Sequence, residues 1–427
     1  MRTLSLSVFF LLMGFIRVAG AASPPPAAGI PLAVCYQKAL EVSESLAIDE
    51  QEIRQLEAVY RQGVGNVLPD VSWQMTQLWQ DTSDVEARSG GVQGTLLRSR
   101  RPESYFQLKQ PLFHGLRDYN AIRGFKAARK SSEFNRDQAA LNLLADVAEV
   151  FYVAFDLQQE LEVLGSQRQL LDERRVELER RVRLGRSRDS EVLSAKVEIV
   201  SLDAQTEDAR QRHAAARQML FFLTEVPPET ALIETQPIPS LPALELAHDK
   251  SSARPDLRAA AELQNQERFR LRYAKGGFFP GLDFTGKYYT ERVGFNEEVK
   301  WDALLSLDVP IFSGFKTQAE VRQARSRLIV ADLAWARTKR QIRRDVETAH
   351  KNLNYTLTQM RFYDRAVSLA QRNYKLQQEE YRLGLINNLQ VLQVLTDLQD
   401  LQLRKLRSAT AARLNDVRLR VAMGQGL

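Results

Sequence analysis

The sequence predicts a mainly α protein with a β-barrel part, built as two half-repeats that each carry a long helical hairpin and two strands. Three observations predict it. The first is an internal repeat. Gln110-Pro111-Leu112-Phe113-His114-Gly115 returns as Val309-Pro310-Ile311-Phe312-Ser313-Gly314, and Arg183-Leu184-Gly185 returns as Arg382-Leu383-Gly384, both 199 positions later. The second is a pair of unbroken stretches. Leu116 to Arg183 is interrupted only by Gly124 and Gly165, and Phe315 to Arg382 has neither glycine nor proline. At ~1.5 Å per residue each would extend roughly 100 Å as helix. The third is a set of four segments whose apolar residues recur at every second position.

In chain order, Arg2, the apolar run Leu4 to Ile16 and the small residues Ala19-Gly20-Ala21 read as a cleaved export signal over residues 1–21. The apolar run is shorter than the ~20 residues that a spanning helix needs. The first repeat is assigned to residues 22–226, a proline-rich connector to 227–254 and the second repeat to 255–427. Asn66-Val67-Leu68-Pro69 matches Gly277-Phe278-Phe279-Pro280 at an offset of 211, so the difference of twelve is absorbed in a loop between the strands of each half.

The strands follow. Val71, Trp73, Met75 and Trp79 alternate with Ser72, Gln74 and Thr76, while Phe106 and Leu108 alternate with Tyr105, Gln107 and Lys109. Leu282, Phe284 and Tyr288 alternate with Asp283, Thr285 and Lys287, and Trp301 to Ile311 continue the pattern. Such runs, near the 9–11 residues that cross a bilayer obliquely and flanked by Trp and Tyr, suit membrane strands. A soluble sheet with one solvated face gives the same pattern. Four membrane strands leave edges that lipid does not tolerate, so closure needs further copies. Strand counting permits two, three or four.

Within the first long helix Val147, Val150, Ala154, Leu157, Leu161, Leu164, Leu171, Leu178 and Val182 follow three-four spacing, with Arg168 and Arg175 interrupting it. This is a coiled-coil seam. Gly185 and Gly384 stand where a helix C-cap is wanted, so each long helix turns back into a second helix. The connector holds Pro227, Pro228, Pro237, Pro239 and Pro242, with Leu232, Ile233, Leu241 and Leu244 to pack it down.

Composition excludes several function classes. Of the residues, 44% are hydrophobic and 26% charged, within the globular range. Lys and Arg number 59 against 53 acidic residues, and the excess is spread as mixed-sign charge along helices, unlike a nucleic-acid-binding face. One cysteine, Cys35, permits no disulfide within the chain, and as a small buried thiol it is preferred to a lipidated one. His114, His213, His248 and His350 are scattered without metal-ligand spacing, no phosphate-binding loop is present, and no catalytic residue or cofactor is assigned.

The duplicated helix-to-strand prolines (Leu68-Pro69, Phe279-Pro280), their strand-to-helix partners Pro111 and Pro310, and the turn sequences Arg183-Leu184-Gly185-Arg186 and Arg382-Leu383-Gly384-Leu385 resemble the TolC-type outer-membrane factors over essentially the whole mature chain. The resemblance implies a homotrimer in the outer membrane, in contact with its lipid, whose strands form one 12-stranded barrel and whose helices form a hollow periplasmic tunnel. It implies that the tips, Arg183 to Arg186 and Arg382 to Leu385, dock on a periplasmic adaptor linked to an inner-membrane pump. It further implies a periplasmic gate at Glu191, Tyr381, Gln390 and Gln393, less acidic than in relatives that carry a carboxylate pair at the last two positions. Small-molecule export is the expected role, with type I protein secretion as the alternative. A non-conducting periplasmic scaffold would explain the helices but not four amphipathic strands, and a surface stalk would not explain duplicated hairpins.

Overall fold

The computed structural model describes residues 29–81, 100–293 and 296–427. The export signal and its cleavage site lie outside the described residues. Helices α1 (Leu32–Val42) and α2 (Glu44–Gly65) lead into strands β1 (Asp70–Trp79) and β2 (Arg100–His114), then α3 (Arg117–Arg183) and α4 (Asp189–Thr224). The second half repeats this order as α5 (Leu244–Ser251), α6 (Pro255–Gly276), β3 (Gly281–Arg292), β4 (Trp301–Asp308), α7 (Lys316–Arg382) and α8 (Asn388–Ala422). The long helices α3 and α7 have 67 residues each, and α2 and α6 have 22 each.

Local chemistry sets the ends. Ser43 caps α2 by accepting the Leu46 N–H, and Pro255 occupies the first turn of α6, where its missing N–H costs nothing. Each long helix is entered through two consecutive left-handed residues: Gly115 and Leu116 at φ 62° and 60°, Gly314 and Phe315 at 60° and 63°. The Gly115 turn also presses on the end of α6. A Cβ on Gly115 would stand 2.4 Å from the Gly276 carbonyl oxygen, so only glycine fits.

The four strands form one antiparallel sheet in the order β1-β2-β3-β4, and the central β2–β3 pair joins the two halves. Register aligns Trp73 with Phe106, Phe106 with Tyr288 and Tyr288 with Trp301, so one row of aromatic rings crosses every strand. All four are about half exposed or more, and Val71, Met75, Leu305 and Leu307 share their exposure. The other face is polar and knit together. The Tyr105 hydroxyl donates to Gln74 at 2.6 Å, the Tyr289 hydroxyl donates to Asp302 at 2.7 Å, and Lys287 Nζ lies 4.7 Å from the Tyr105 ring centroid.

Two strand boundaries differ from the sequence pattern. β2 does not stop at Pro111 but runs through it to His114, because a register irregularity between Pro111 and Phe113 absorbs the missing donor. β4 stops at Asp308, opposite Gly281, the first residue of β3, so Val309 and Ile311 have no strand left to pair with despite their alternation.

The main core gathers Leu32, Cys35 and Ala39 of α1, Leu144, Val147, Phe151 and Tyr152 of α3, Leu220 of α4, Leu232 of the connector and Val417 of α8. Cys35 is fully buried there, which pushes its thiol up to about 11 and leaves no room for a lipid. The connector is held differently from the expectation. Leu232 is buried, but Ile233, Leu241 and Leu244 are 36–40% exposed. In their place the buried Arg217 donates to the carbonyls of Pro227, Pro228 and Thr230, and Ile30 bridges to the strand-like Leu232. The prolines leave carbonyls without helical partners, and one guanidinium with five N–H donors serves three of them.

Candidate functional site

At the end of the molecule away from the sheet, both long helices turn back by the same chemistry. Gly185 and Gly384 adopt φ 69° and 77°. The Arg186 N–H donates to the Arg181 carbonyl and the Gly185 N–H to Val182, while Leu385 donates to Glu380 and Gly384 to Tyr381. These are paired Schellman motifs, and the left-handed residue they need explains the glycines. The turns carry Arg183, Leu184 and Arg186 on one tip and Arg382, Leu383 and Leu385 on the other, all exposed, with the three leucines 61–74% uncovered.

Behind the tips, Tyr381 in the last turn of α7 is buried against Leu178, Val192, Ala195 and Val391. Its hydroxyl donates to Glu191 Oε2 at 3.4 Å, and the Ser187 hydroxyl donates to the same oxygen. Burial raises the tyrosine pKa, with Arg174 pulling against it and Glu191 adding to it. The structure thus brings Glu191 and Tyr381 together, from the starts and ends of different hairpins. It does not bring Gln390 and Gln393 to them. Gln390 completes a capping box with Asn387 at the start of α8, and Gln393 is exposed on that helix. Pro69 and Pro280 precede β1 and β3 directly, and Pro310 lies between β4 and α7.

Several site residues escape sequence reasoning. The seam of α3 buries Leu157, Leu164, Leu171 and Leu178, and its buried polar members are Glu160 and Gln167, with the half-buried Arg174 one heptad further on, while Arg168 is exposed. Arg168 instead reaches sideways to Asp203 of α4 at 2.7 Å. Arg174 packs over the Tyr381 ring, 4.0 Å from its centroid. Its heptad relation to Glu160 and Gln167 was the available signal. Glu160 accepts from Arg407 of α8 at 2.8 Å and lies 3.4 Å from Arg212 of α4. Beside it, burial pushes Asp156 up to about 6, against the pull of Arg407. At the sheet end His114 stands 3.0 Å from both Asp118 and Asp283, joining β2, α3 and β3. Asp118 was visible at i+4, but Asp283 enters through strand pairing.

An arrangement of this kind can shape and close a conduit: a two-faced sheet at one end, two helical hairpins, and a polar joint at the other end. Residues 246–425 match the family model for outer membrane efflux proteins. Alkaline protease secretion protein AprF of Pseudomonas aeruginosa is 26% identical over 381 residues, covering 84% of this chain and 76% of its own. The fold is similar to crystal structures of CusC, with a TM-score of 0.78 at 17% identity, covering 95% of this chain and 96% of that one. Outer membrane protein VceC of Vibrio cholerae gives 0.77 at 17% identity, covering 92% and 96%. The open-state MtrE outer membrane channel of Neisseria gonorrhoeae gives 0.74 at 19%, covering 93% and 89%. The second half thus matches the family model for outer membrane efflux proteins, and the architecture of the chain is similar to that of these outer-membrane channels.

Proposed function

We propose that three copies of the chain form the outer-membrane duct of a tripartite export system. The observation that carries this reading is the sheet. It has an apolar face crossed by a row of aromatics, a hydrogen-bonded polar face, and edges at β1 and β4 that a bilayer cannot leave unpaired. Three copies joined β4 to β1 give a closed barrel of twelve strands, apolar outside and polar inside. The helices support the same assembly. Tyr355, Phe362, Leu369 and Leu376 recur every seven residues on α7, with Leu383 at its C-cap, and are 63–74% exposed, a stripe that only a neighbouring helix would cover. On α4, Leu193, Val197 and Val200 offer a complementary three-four stripe, 63–67% exposed.

In this reading the leucine and arginine tips dock on a periplasmic adaptor, the inner-membrane pump supplies the energy, and Glu191 with Tyr381 holds the periplasmic mouth closed. The duct performs no covalent chemistry. Its cargo is small molecules, selected upstream by pump and adaptor. A second reading, protein secretion, is favoured by the likeness to a secretion protein of Pseudomonas aeruginosa. The test is planar-bilayer conductance of detergent-purified mature protein, with its mass determined in the same preparation. A trimer with discrete conductance steps supports the duct, and a soluble monomer that never conducts overturns it. For cargo, deletion of the gene followed by assay of both drug susceptibility and secreted protein separates the two readings.

A further inference from the structure

Just below the sheet, the first turns of the long helices and the last turns of α6 carry a collar of exposed basic side chains. On α3, Tyr119, Arg123 and Lys126 follow three-four spacing and share one exposed face. On α6, Arg268, Arg272 and Lys275 do the same. The Phe269 ring joins the two stripes, with Arg123 Cζ 5.8 Å and Arg272 Cζ 5.5 Å from its centroid, while Arg123 also stacks on Tyr119 at 4.3 Å. In the second half Arg322 and Arg325 of α7, both exposed, stand 199 positions beyond Arg123 and Lys126. Carboxylates at this level are engaged elsewhere: Glu57 with Arg61 and Arg129, Asp118 with His114, and Glu267 with Arg270. None of the seven bases has an ion-pair partner among the described residues. Along the chain this charge reads as mixed-sign and spread over the helices, but the fold sorts it. In a chain of net charge +6, seven unpaired cations meet at one level.

The collar lies on the side of the apolar sheet face. Arg117 and Tyr273 bond each other at 3.1 Å and line one cavity with Asp283 and Asp308 of the polar face. At 3.6 residues per turn, Lys126 stands about 180° around α3 from Arg117, and Lys275 about 160° around α6 from Tyr273. Glu320, by contrast, lies about 140° around α7 from Arg325. The apolar face reaches its lower edge at Phe113, paired with Leu282, with exposed Leu116, Phe279 and Phe315 at the junction below. Descending from the sheet, the order is apolar side chains, then Tyr119, then cations. That is the order of hydrocarbon, interface and phosphate in one leaflet. At ~1.5 Å per residue the bases lie within roughly 14 Å of the helix ends that meet the sheet. Side chains of α3 and α7 also lean toward their N-termini, hence toward the membrane, on stems long enough to carry the charge further. We propose that this collar binds the phosphate of anionic phospholipids in the leaflet facing the periplasm, and so fixes the depth at which the barrel sits. This rests on the reading of the sheet as a membrane barrel. The dipoles of α3 and α7, whose N-termini meet the same level, add to the attraction for phosphate.

The test is binding of fluorescent phosphatidylglycerol and phosphatidylcholine to detergent-purified, full-length mature trimers at low and high salt. The parent should bind phosphatidylglycerol tighter by on the order of tenfold, a preference that high salt erases. Arg272→Gln, Lys275→Gln, Arg322→Gln and Arg325→Gln combined should abolish the preference. Arg361→Gln with Arg372→Gln, which removes two exposed cations of α7 nearer the tips, should keep it. Should the quadruple variant not assemble, Arg322→Gln with Arg325→Gln is judged by the same criterion and should weaken the preference several-fold. Conducting trimers that bind both lipids alike, or an assembled collar variant that keeps the parent's preference, would overturn the collar and leave the duct standing. A protein that stays soluble without detergent and never conducts has no membrane to meet, and duct and collar then fail together. Soluble polyglutamate that binds through these bases while the two lipids bind alike would assign the surface to an acidic polymer and overturn the lipid reading.

Discussion

The Tyr381 hydroxyl lies 3.4 Å from Glu191 Oε2, which joins the last turn of α7 to the first turn of α4 across a sequence separation of 190. The bond is long, but it is sheltered, and its acceptor is also held by Ser187. If this pair closes the mouth, Glu191→Ala raises single-channel conductance. Tyr381→Phe has a smaller effect, because the ring and both arginine stacks remain. Equal conductance in all three proteins would show that the constriction lies elsewhere.

The tips depend on backbone conformation that an L side chain rarely adopts. Around Gly185 and Gly384 space is open, so an added Cβ costs only conformational strain, about 1–2 kcal/mol at each position. Gly185→Ala with Gly384→Ala should therefore leave the membrane trimer intact but distort both turns and reduce adaptor capture. Pull-down with the purified adaptor checks it. Undiminished capture would mean that the turns are not the docking surface.

The repeat offsets predict a contact between copies. Within the chain, Arg117 donates to the Tyr273 hydroxyl at 3.1 Å, and Gly115 meets Gly276 backbone to backbone. The equivalent positions of the other half are Lys316 with Gln62, and Gly314 with Gly65, and both of these glycines face open space in a single chain. They meet if the second half of one copy packs on the first half of the next. Gln62→Cys with Lys316→Cys should then give a reducible crosslinked trimer on oxidation, while either substitution alone gives none. Cys35, fully buried, should not interfere. Absence of crosslinked species in the double variant would rule out this arrangement.

Asp156 makes stability pH-dependent. Folded, it takes up its proton near pH 6, against an ordinary aspartate value of 3.8, because burial disfavours the charge. Between these values the folded state binds more protons than the unfolded one, so this group's contribution falls as pH rises through the window and stays low above it. Asp156→Asn removes that cost. The expected outcome is a gain on the order of 1–3 kcal/mol at pH 7 and a flatter profile between pH 4 and 6, read from thermal unfolding across pH. Glu160 still pairs with Arg407 in the variant. A stability loss at pH 7 would show that the Asp156 contacts to Arg407 and Thr410 outweigh its burial.

Much of the fold was legible because its causes are local or repetitive. Period-two alternation marks strands, an unbroken stretch of helix formers marks α3 and α7, and glycine at a C-cap marks a turn, each within a few residues of the structure it dictates. Duplication in register then made weak motifs add up. The Glu191–Tyr381 pair was reachable only through the family resemblance, since the two residues belong to different halves. Pro111 misled as a strand end because β-bulges depend on the facing strand, and Val309 and Ile311 misled because alternation persists where no partner strand remains.

From the sequence alone follow the two-half design, the helix lengths, the strand faces and the turn chemistry, since each depends on neighbours along the chain. Folding in three dimensions settles the rest. It pairs β2 with β3, buries Cys35 under α3, sets Arg217 under the proline connector, and brings Arg174 to Tyr381 and Asn388. The physical reason is helical periodicity. It tells which residues share a face, as Glu160, Gln167 and Arg174 do, but which other helix meets that face depends on how four long rods pack, and that is fixed by contacts hundreds of positions apart.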